Sequence, residues 1–344
     1  SYQDTPILGE LTHPLLAGEH LWSDPETWGS DYLNLLIGYR DDNGYTTIGI
    51  PPEQNIDSLY EKHLAWNGGT IMASINQGKS FVHHSGHANS SSVMHLSIPD
   101  ITNANFSQVN GITHNFTFVF SHGCICGAFD ESDCIMEHMV KIDNFAAAVI
   151  GNSRYGWFNE GQTEGPAAHL HREMTDALYE EEMGRLGAAF VECKIQTAPW
   201  VNAPGQHEEG ALRWNFYDIN ILGDPVLQLW TDEPFTPSAL YTSPIQIDET
   251  ILEVSVSNGG LATEGMTCVL LKDGIMHGLD TTDANGDATI IIDPPFTSTG
   301  TAELVVSGYN CLTTTFNVLV SPSGGPYIIY NDHMLNDTLG GNAN

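Results

Sequence analysis

Lysine and arginine are scarce in this chain of 344 residues: together they number 10, against 43 aspartates and glutamates, for a formal charge of −33 at neutral pH. A field of that sign repels phosphate backbones and anionic lipid headgroups, which argues against nucleic-acid binding and electrostatic docking to membranes. Long apolar runs are lacking as well. No stretch of about 18 hydrophobic residues occurs, so no membrane-spanning helix is expected. Ser1–Glu10 have neither the basic start nor the apolar centre of a signal peptide. Cysteines are few and scattered, at 124, 126, 134, 193, 268 and 311, unlike a small disulfide-stapled scaffold. No paired CxxC or HExxH pattern is present, so a zinc site lacks its usual ligand spacing.

What is present reads as a folded protein of two units, since the length exceeds one ordinary domain. Hydrophobic residues make up 41% and charged residues 15%, enough to build cores. Most carboxylates then form a solvated surface that keeps an extracellular protein soluble. Structural calcium is the alternative for Asp41-Asp42-Asn43-Gly44 and Asp280–Asp287, although neither follows the EF-hand spacing. Cys268 and Cys311 are the candidates for a disulfide within the second unit. The start at Ser1 and the strand-like Gly325–Tyr330 suggest a piece of a larger precursor. Sequons at Asn89, Asn105, Asn115 and Asn336 are too common by chance to decide anything.

Residues 1–233 alternate short apolar runs with helical patterns, which predicts an α/β domain with a parallel sheet covered on both faces. The expected strands are Ser80–His84, Phe116–Phe120, Ala146–Ile150 and Val226–Trp230; the expected helices are Ile56–Ile75, interrupted near Gly68-Gly69, Ser132–Ile142 and Ala167–Leu186. From 234 to 321 the pattern changes to short β-rich runs separated by Asn258-Gly259-Gly260, Asp273-Gly274 and Asn285-Gly286, which predicts an immunoglobulin-like β-sandwich. Residues 322–344 read as a linker or the start of a further domain.

Two segments carry candidate chemistry. His83-His84-Ser85-Gly86-His87-Ala88-Asn89 ends one apolar strand, and Ser121-His122-Gly123-Cys124-Ile125-Cys126-Gly127 ends the next. Open α/β sheets place ligands at the carboxyl ends of their strands, so adjacent strands would bring His87 to Cys124. A thiol with a pKa of about 8.5 needs a basic neighbour to attack at neutral pH, and His87 would serve. A lone buried cysteine or histidine is usually core filling; their joint placement after consecutive strands favours catalysis. His169-Leu170-His171 on a helix points its rings to different faces, so surface or supporting roles are expected there rather than a metal site.

Gly86-His87, the run Phe120–Cys124 and the continuation Gly127-Ala128-Phe129-Asp130 resemble the gingipain-like cysteine peptidases. Gly18–Trp22, Thr27–Tyr32, Gly151–Trp157 and Leu222-Gly223-Asp224-Pro225 look like further landmarks of that family, in order from about residue 15 to 320. The resemblance implies a caspase-like catalytic domain in a secreted or cell-surface endopeptidase that forms an acyl-enzyme on protein or peptide substrates, with no cofactor required for the chemistry. It makes Cys124 the nucleophile, His87 the general acid/base and Glu19 the carboxylate that orients or stabilises the imidazolium. Backbone N–H groups near Cys124 and Ala88 would form the oxyanion hole, and Asp31 and Trp157 would bind substrate, with cleavage after Arg or Lys. Asp31 reads equally as a structural carboxylate near a helix start. Ala88 stands where the family usually has glycine, and Cys126 where a polar residue is common. The scarcity of Lys and Arg fits an enzyme that avoids cutting itself beside basic residues, and fits equally an acid-rich protein of salty or cold surroundings. A catalytically silent surface protein, assembling as oligomers or filaments, is the alternative reading.

Overall fold

A computed structural model describes residues 2–131, 133–202 and 209–324. The chain divides into two compact units, Ser1–Phe235 with Tyr309–Leu312, and Thr236–Gly308 with Thr313–Asn344. The expected strand at 325–330, the sequon at Asn336 and the helix start at Ser132 lie outside the described residues.

The first unit is built on a six-stranded sheet of β1 (Leu15–Gly18), β2 (Asp57–Tyr60), β3 (Phe81–Ser85), β4 (Thr117–Ser121), β5 (Ala146–Asn152) and β6 (Ile219–Gly223), in the order β6-β5-β4-β3-β1-β2. All neighbours are parallel except β5 and β6. Strand alternation sorts the core between the two faces. Leu15, Val82, Val119 and Val149 pack with Ile71 and Ile75 of helix α2 (Gly68–Ile75) and Ile135, Met136 and Met139 of α3 (Ile135–Lys141). On the opposite face, Phe81, Phe118, Phe120 and Ile150 meet Leu170, Met174 and Leu178 of α4 (Pro166–Tyr179) and Ala189 and Cys193 of α5 (Leu186–Thr197). Fully burying one such large side chain is worth about 1.5–3 kcal/mol, so the sheet's strand ends rest on a stiff base. The short helix α1 (Gly29–Leu33) follows β1, and α6 (Ala211–Asp218) precedes β6.

Several expectations change. Residues 56–75 do not form one helix: Asp57–Tyr60 pairs with β1 as a parallel edge strand, and Leu64 is exposed. Backbone pairing to β1 overrides the helical spacing. Gly68 and Gly69 open α2 rather than break it, because the Asn67 side chain caps it by accepting from the Thr70 N–H at 3.1 Å. Val226–Trp230 is not a strand; the sheet is closed instead by β6, antiparallel to β5, while Gln228 makes only an isolated bridge to Arg185. Trp230 is buried in a cluster with Tyr2 and Leu11, and its indole N–H donates to the Tyr2 carbonyl at 2.9 Å. The helix expected to reach Leu186 stops at Tyr179, and α5 and α6 were not expected.

Of the acidic segments considered for calcium, Asp41-Asp42-Asn43-Gly44 is a hairpin turn, and Asp280–Asp287 runs from a strand of one sheet of the second unit to a strand of the other. Asp41 and Asp42 end a strand whose partner begins at Tyr45, with Asn43 left-handed at φ 62°. Asp283 accepts from the N–H groups of Asn285 and Asp287 at 2.8 and 3.1 Å. Among the described residues no three His, Cys, Asp or Glu side chains gather as a set able to hold a metal ion. No described helix is long and apolar enough to cross a membrane.

The second unit is all β, with two sheets that run Ser238–Tyr241, Ile251–Asn258 and Leu261–Ala262, with Asp287–Ile291 also paired to Ile251–Asn258, and Ile245–Gln246, Cys311–Ser321, Gly300–Gly308, Thr267–Lys272 and Ile275–Thr281. Leu252, Val254 and Val256 are buried at alternate positions, as are Ala302, Leu304 and Val306. The expected Cys268–Cys311 disulfide is absent: both thiols are free, Cys268 inside the second unit and Cys311 within the Tyr309–Leu312 segment of the first.

Candidate active site

The carboxyl ends of β1, β3, β4 and β5 converge on one pocket, because β3 lies between β1 and β4 and Ser121 is in register with His84. The pocket is lined by Leu21, Ser85, Gly86, His87, His122, Cys124, Gly156, Trp157 and Phe158. His87 and Cys124 are thus brought together, as the order of strands implied, and Trp157 lines the same pocket.

His87 is exposed, and its ring is anchored by Nε2, 3.1 Å from the Leu21 carbonyl. A carbonyl can only accept, so Nε2 carries a hydrogen, and in the neutral ring Nδ1 is the nitrogen left to take a proton. The half-buried Cys124 thiol donates to the Gly156 carbonyl at 3.6 Å. Burial pushes this thiol above its ordinary pKa, Gly156 acts the other way, and Asp218 adds to the rise. The resting group is therefore a neutral thiol that needs a base to become a nucleophile.

The turn that carries the thiol is tightly held. Asn152 donates to the carbonyls of His122 and Gly123 at 3.0 and 3.1 Å, and Asn215 links Asn152 to the Trp157 N–H. Ile125 sits at φ 61°, a costly conformation for a β-branched residue, where its N–H donates to the Arg154 carbonyl at 2.6 Å. Strain of this kind concentrates where a fold must aim a side chain.

Glu19 is buried beside the pocket rather than in its lining. Its Oε2 accepts the backbone N–H of His87 at 2.8 Å, and its Oε1 meets His84 Nε2 at 2.9 Å. The expected contact with the His87 ring is thus replaced by one to its backbone, since the ring has turned to Leu21. Burial raises the Glu19 pKa, but His84, His95 and the His87 N–H together outweigh it and leave the carboxyl below its ordinary value.

Ala88 lies outside the lining residues but close to the nucleophile turn: a Cβ on Gly123 would fall 2.4 Å from the Ala88 methyl. Asp31 stands apart. Both of its oxygens are engaged by Lys62, at 2.7 and 2.8 Å, and it does not line the pocket. Cys126 is fully buried, donates to the Gly123 carbonyl at 3.3 Å, and is not bonded to Cys124. Burial pushes its thiol up to about 12, so it packs rather than reacts. His169 and His171, expected in surface or supporting roles, are both buried, which leaves the supporting one.

Sequence reasoning missed His84, Ser121, His122, Asn152 and Asn215 as supports of the site. For His84 and Ser121 a signal existed: each is a polar residue in a strand buried at every position, where only a paired polar group is tolerable.

A family model described as "Peptidase family C25" matches residues 23–230. Lys-gingipain HG66 of Porphyromonas gingivalis is 24% identical over 317 residues, covering 87% of this chain and 17% of that protein. Lys-gingipain W83 of the same organism is 23% identical over 316 residues with the same coverage. The chain thus spans 17% of the length of the curated relatives it matches. Among solved structures, the Arg-specific cysteine proteinase gingipain R (RGPB) aligns with a TM-score of 0.71 at 19% identity, covering 93% of this chain and 70% of that one. The complex of the Porphyromonas gingivalis RgpB pro- and mature domains aligns equally well at 17% identity, covering 93% and 72%. At these identities the solved structures speak to the fold alone, and they bear out a caspase-like α/β arrangement with a parallel-containing sheet and flanking helices.

Proposed function

We propose, from the premise that the chain belongs to peptidase family C25, that it hydrolyses peptide bonds in proteins or peptides as a cysteine endopeptidase. The observation that carries this reading is the shared pocket of His87 and Cys124, with Nε2 of His87 held by the Leu21 carbonyl and Nδ1 left as the ring nitrogen for the proton transfer. In the proposed reaction Nδ1 takes the Cys124 proton, and the thiolate attacks the substrate carbonyl. Backbone N–H groups near Cys124 and Ala88 stabilise the oxyanion, and the His87 imidazolium returns the proton to the leaving amine. Water, deprotonated by His87, then releases the acyl group and restores the thiol. Glu19 positions the base, and Trp157 walls the substrate. No metal or other cofactor enters these steps.

Cleavage after Lys or Arg is the specificity the relatives' names suggest. The Lys62 pairing of Asp31 supports the structural reading of that carboxylate over the substrate-binding one. The strong negative charge supports a secreted or surface location, and the alternately buried strands of the second unit support the immunoglobulin-like reading.

The test is covalent labelling with peptidyl inhibitors ending in Lys or Arg, followed by mass spectrometry and by cleavage of a mixed peptide library. An adduct on Cys124, and cleavage abolished by Cys124→Ala, are expected. Equal cleavage by both proteins would remove Cys124 as the nucleophile. Absence of both labelling and cleavage would leave the silent surface or filament protein as the better reading.

A further inference from the structure

Three histidines that the reaction above does not use form a chain beneath the pocket. His122 Nε2 lies 2.7 Å from His171 Nδ1, and His171 Nε2 lies 2.8 Å from His83 Nδ1. The His171 ring is stacked on Phe120 at 3.8 Å, which fixes the middle of the chain. The inner end is closed, since His83 Nε2 is buried without a partner. The outer end is open. His122 lines the pocket beside Cys124; its Nε2 is taken by His171, and its Nδ1 has no hydrogen-bond partner among the described residues. Burial, reinforced for His122 and His171 by the neighbouring imidazoles, holds all three rings uncharged at neutral pH, with His83 and His122 pushed down to about 3.

A neutral imidazole carries a single N–H. With one hydrogen per ring and one needed in each N···N contact, only two arrangements satisfy both contacts. If every ring donates inward, the chain ends in a buried N–H on His83 that has nothing to donate to. If every ring donates outward, the bare nitrogen is His83 Nε2, and the free N–H is His122 Nδ1, at the pocket. An orphaned buried N–H is rarer in proteins than an under-used acceptor, so the outward arrangement is favoured. The blind inner end also excludes a through-going proton wire.

We infer that His122 presents a fixed, uncharged Nδ1–H to the substrate carbonyl in the Cys124 pocket, its tautomer set by His171 and His83. The inference rests on the peptidase reading above and adds to it a donor beside the backbone N–H groups. No proton leaves His122; its hydrogen bond strengthens as the carbonyl oxygen gains charge in the tetrahedral intermediate. One donor of this kind typically contributes about 100- to 1,000-fold in rate.

Two substitutions at this position separate the roles of the ring nitrogens. His122→Asn keeps an N–H near the place of Nδ1, whereas His122→Gln keeps a polar group only near Nε2, towards His171. The expected result is a fall in kcat of about 100-fold for His122→Gln, with KM little changed, and recovery of at least a tenth of wild-type kcat in His122→Asn. His171→Phe, which removes the tautomer lock without entering the pocket, should lower kcat by about 10-fold. Nitrogen-15 NMR of histidine-labelled Cys124→Ala protein at pH 7 should show His122 as the Nδ1–H tautomer, a readout that needs no turnover. Wild-type kcat in folded His122→Gln, or an Nε2–H tautomer or imidazolium at His122, would overturn the inference and leave the peptidase reading standing. Wild-type protein that neither cleaves nor is labelled would overturn the peptidase reading, and the proposed carbonyl contact with it.

Discussion

Glu19 is paired with His84: Oε1 of the carboxylate lies 2.9 Å from Nε2 of the imidazole, with both groups buried. From there the hydrogen bonds run on. His84 Nδ1 is 2.8 Å from Ser121 Oγ, which accepts the Gly123 N–H at 2.9 Å, one residue before the nucleophile. The second oxygen of Glu19 holds the His87 N–H. One carboxylate therefore ties together the loop that carries the base and the turn that carries the thiol.

Glu19→Gln should fold, because its amide can accept from His87 and donate to His84 once the His84 tautomer reverses. Without the negative charge, the imidazolium that forms on His87 is less stabilised, and kcat should fall by about 10- to 100-fold. Glu19→Ala leaves the His87 N–H and His84 unpaired and should cost about 2–4 kcal/mol of stability as well. Ser121→Ala, at a buried position outside the pocket lining, should lower kcat more than it raises KM. Steady-state kinetics beside urea denaturation check all three; full activity in Ser121→Ala would break the proposed linkage.

Brief exposure to iodoacetamide should modify Cys124 and leave Cys126 intact, because Cys126 is fully buried and its thiol is pushed up to about 12. Cys126→Ala should retain most of the activity, with a loss of stability of about 1–2 kcal/mol from the vacated space. Peptide mapping by mass spectrometry after timed alkylation reads the first outcome directly. Equal modification of both cysteines would show that the 124–127 turn opens readily.

The parts of the site legible in the sequence were those whose signal is local. His87 and Cys124 each follow an apolar run and sit among small residues, so strand ends alone placed them. His84 was not legible in this way, since its importance comes from the register that sets Ser121 opposite it. For His171 the surface and supporting readings stayed open, because its neighbours in sequence do not show that twelve of the fourteen residues of α4 are buried. Asp31 is paired with Lys62, a partner 31 positions away that no short motif announces. In the fold, β3, β4 and β5 were visible as buried runs. The edge strands β2 and β6 were not, because edge strands are half-exposed and their pattern is weaker.

The buried histidines should make the protein acid-sensitive. His83 and His122 are pushed down to about 3 by burial, and His171 well below its ordinary value. The unfolded chain takes up protons at these rings below pH of about 6.5, and the folded chain does not, so stability falls as pH drops through that window. Each ring contributes a slope of about 1.4 kcal/mol per pH unit. Glu173, pushed up to about 7, and Asp218, up to about 6, both by burial, act in the opposite sense. The histidine share is therefore read by difference. Urea midpoints between pH 7.5 and 5 should fall less steeply for His83→Leu than for wild type, by about one ring's slope; parallel curves would show that His83 is protonated in the folded state.

Gly156 is the position where the smallest change should do the most. A Cβ built there would fall 1.7 Å from the His122 carbonyl oxygen and 2.6 Å from Asn152 Nδ2. The first is backbone and cannot swing aside, so Gly156→Ala must push apart the strand-end loops that carry Cys124 and Trp157. The same glycine carbonyl accepts the Cys124 S–H, which would be displaced with it. Overpacking of this kind costs about 1–3 kcal/mol, small enough for the protein to remain folded at 25 °C. The substituted protein should therefore melt at a lower temperature and lose at least 10-fold in Cys124 acylation rate, with CD spectrum and second-unit strands unchanged. A Gly156→Ala protein with wild-type acylation would mean that the 122–124 and 154–157 segments are not held as closely as their hydrogen bonds indicate.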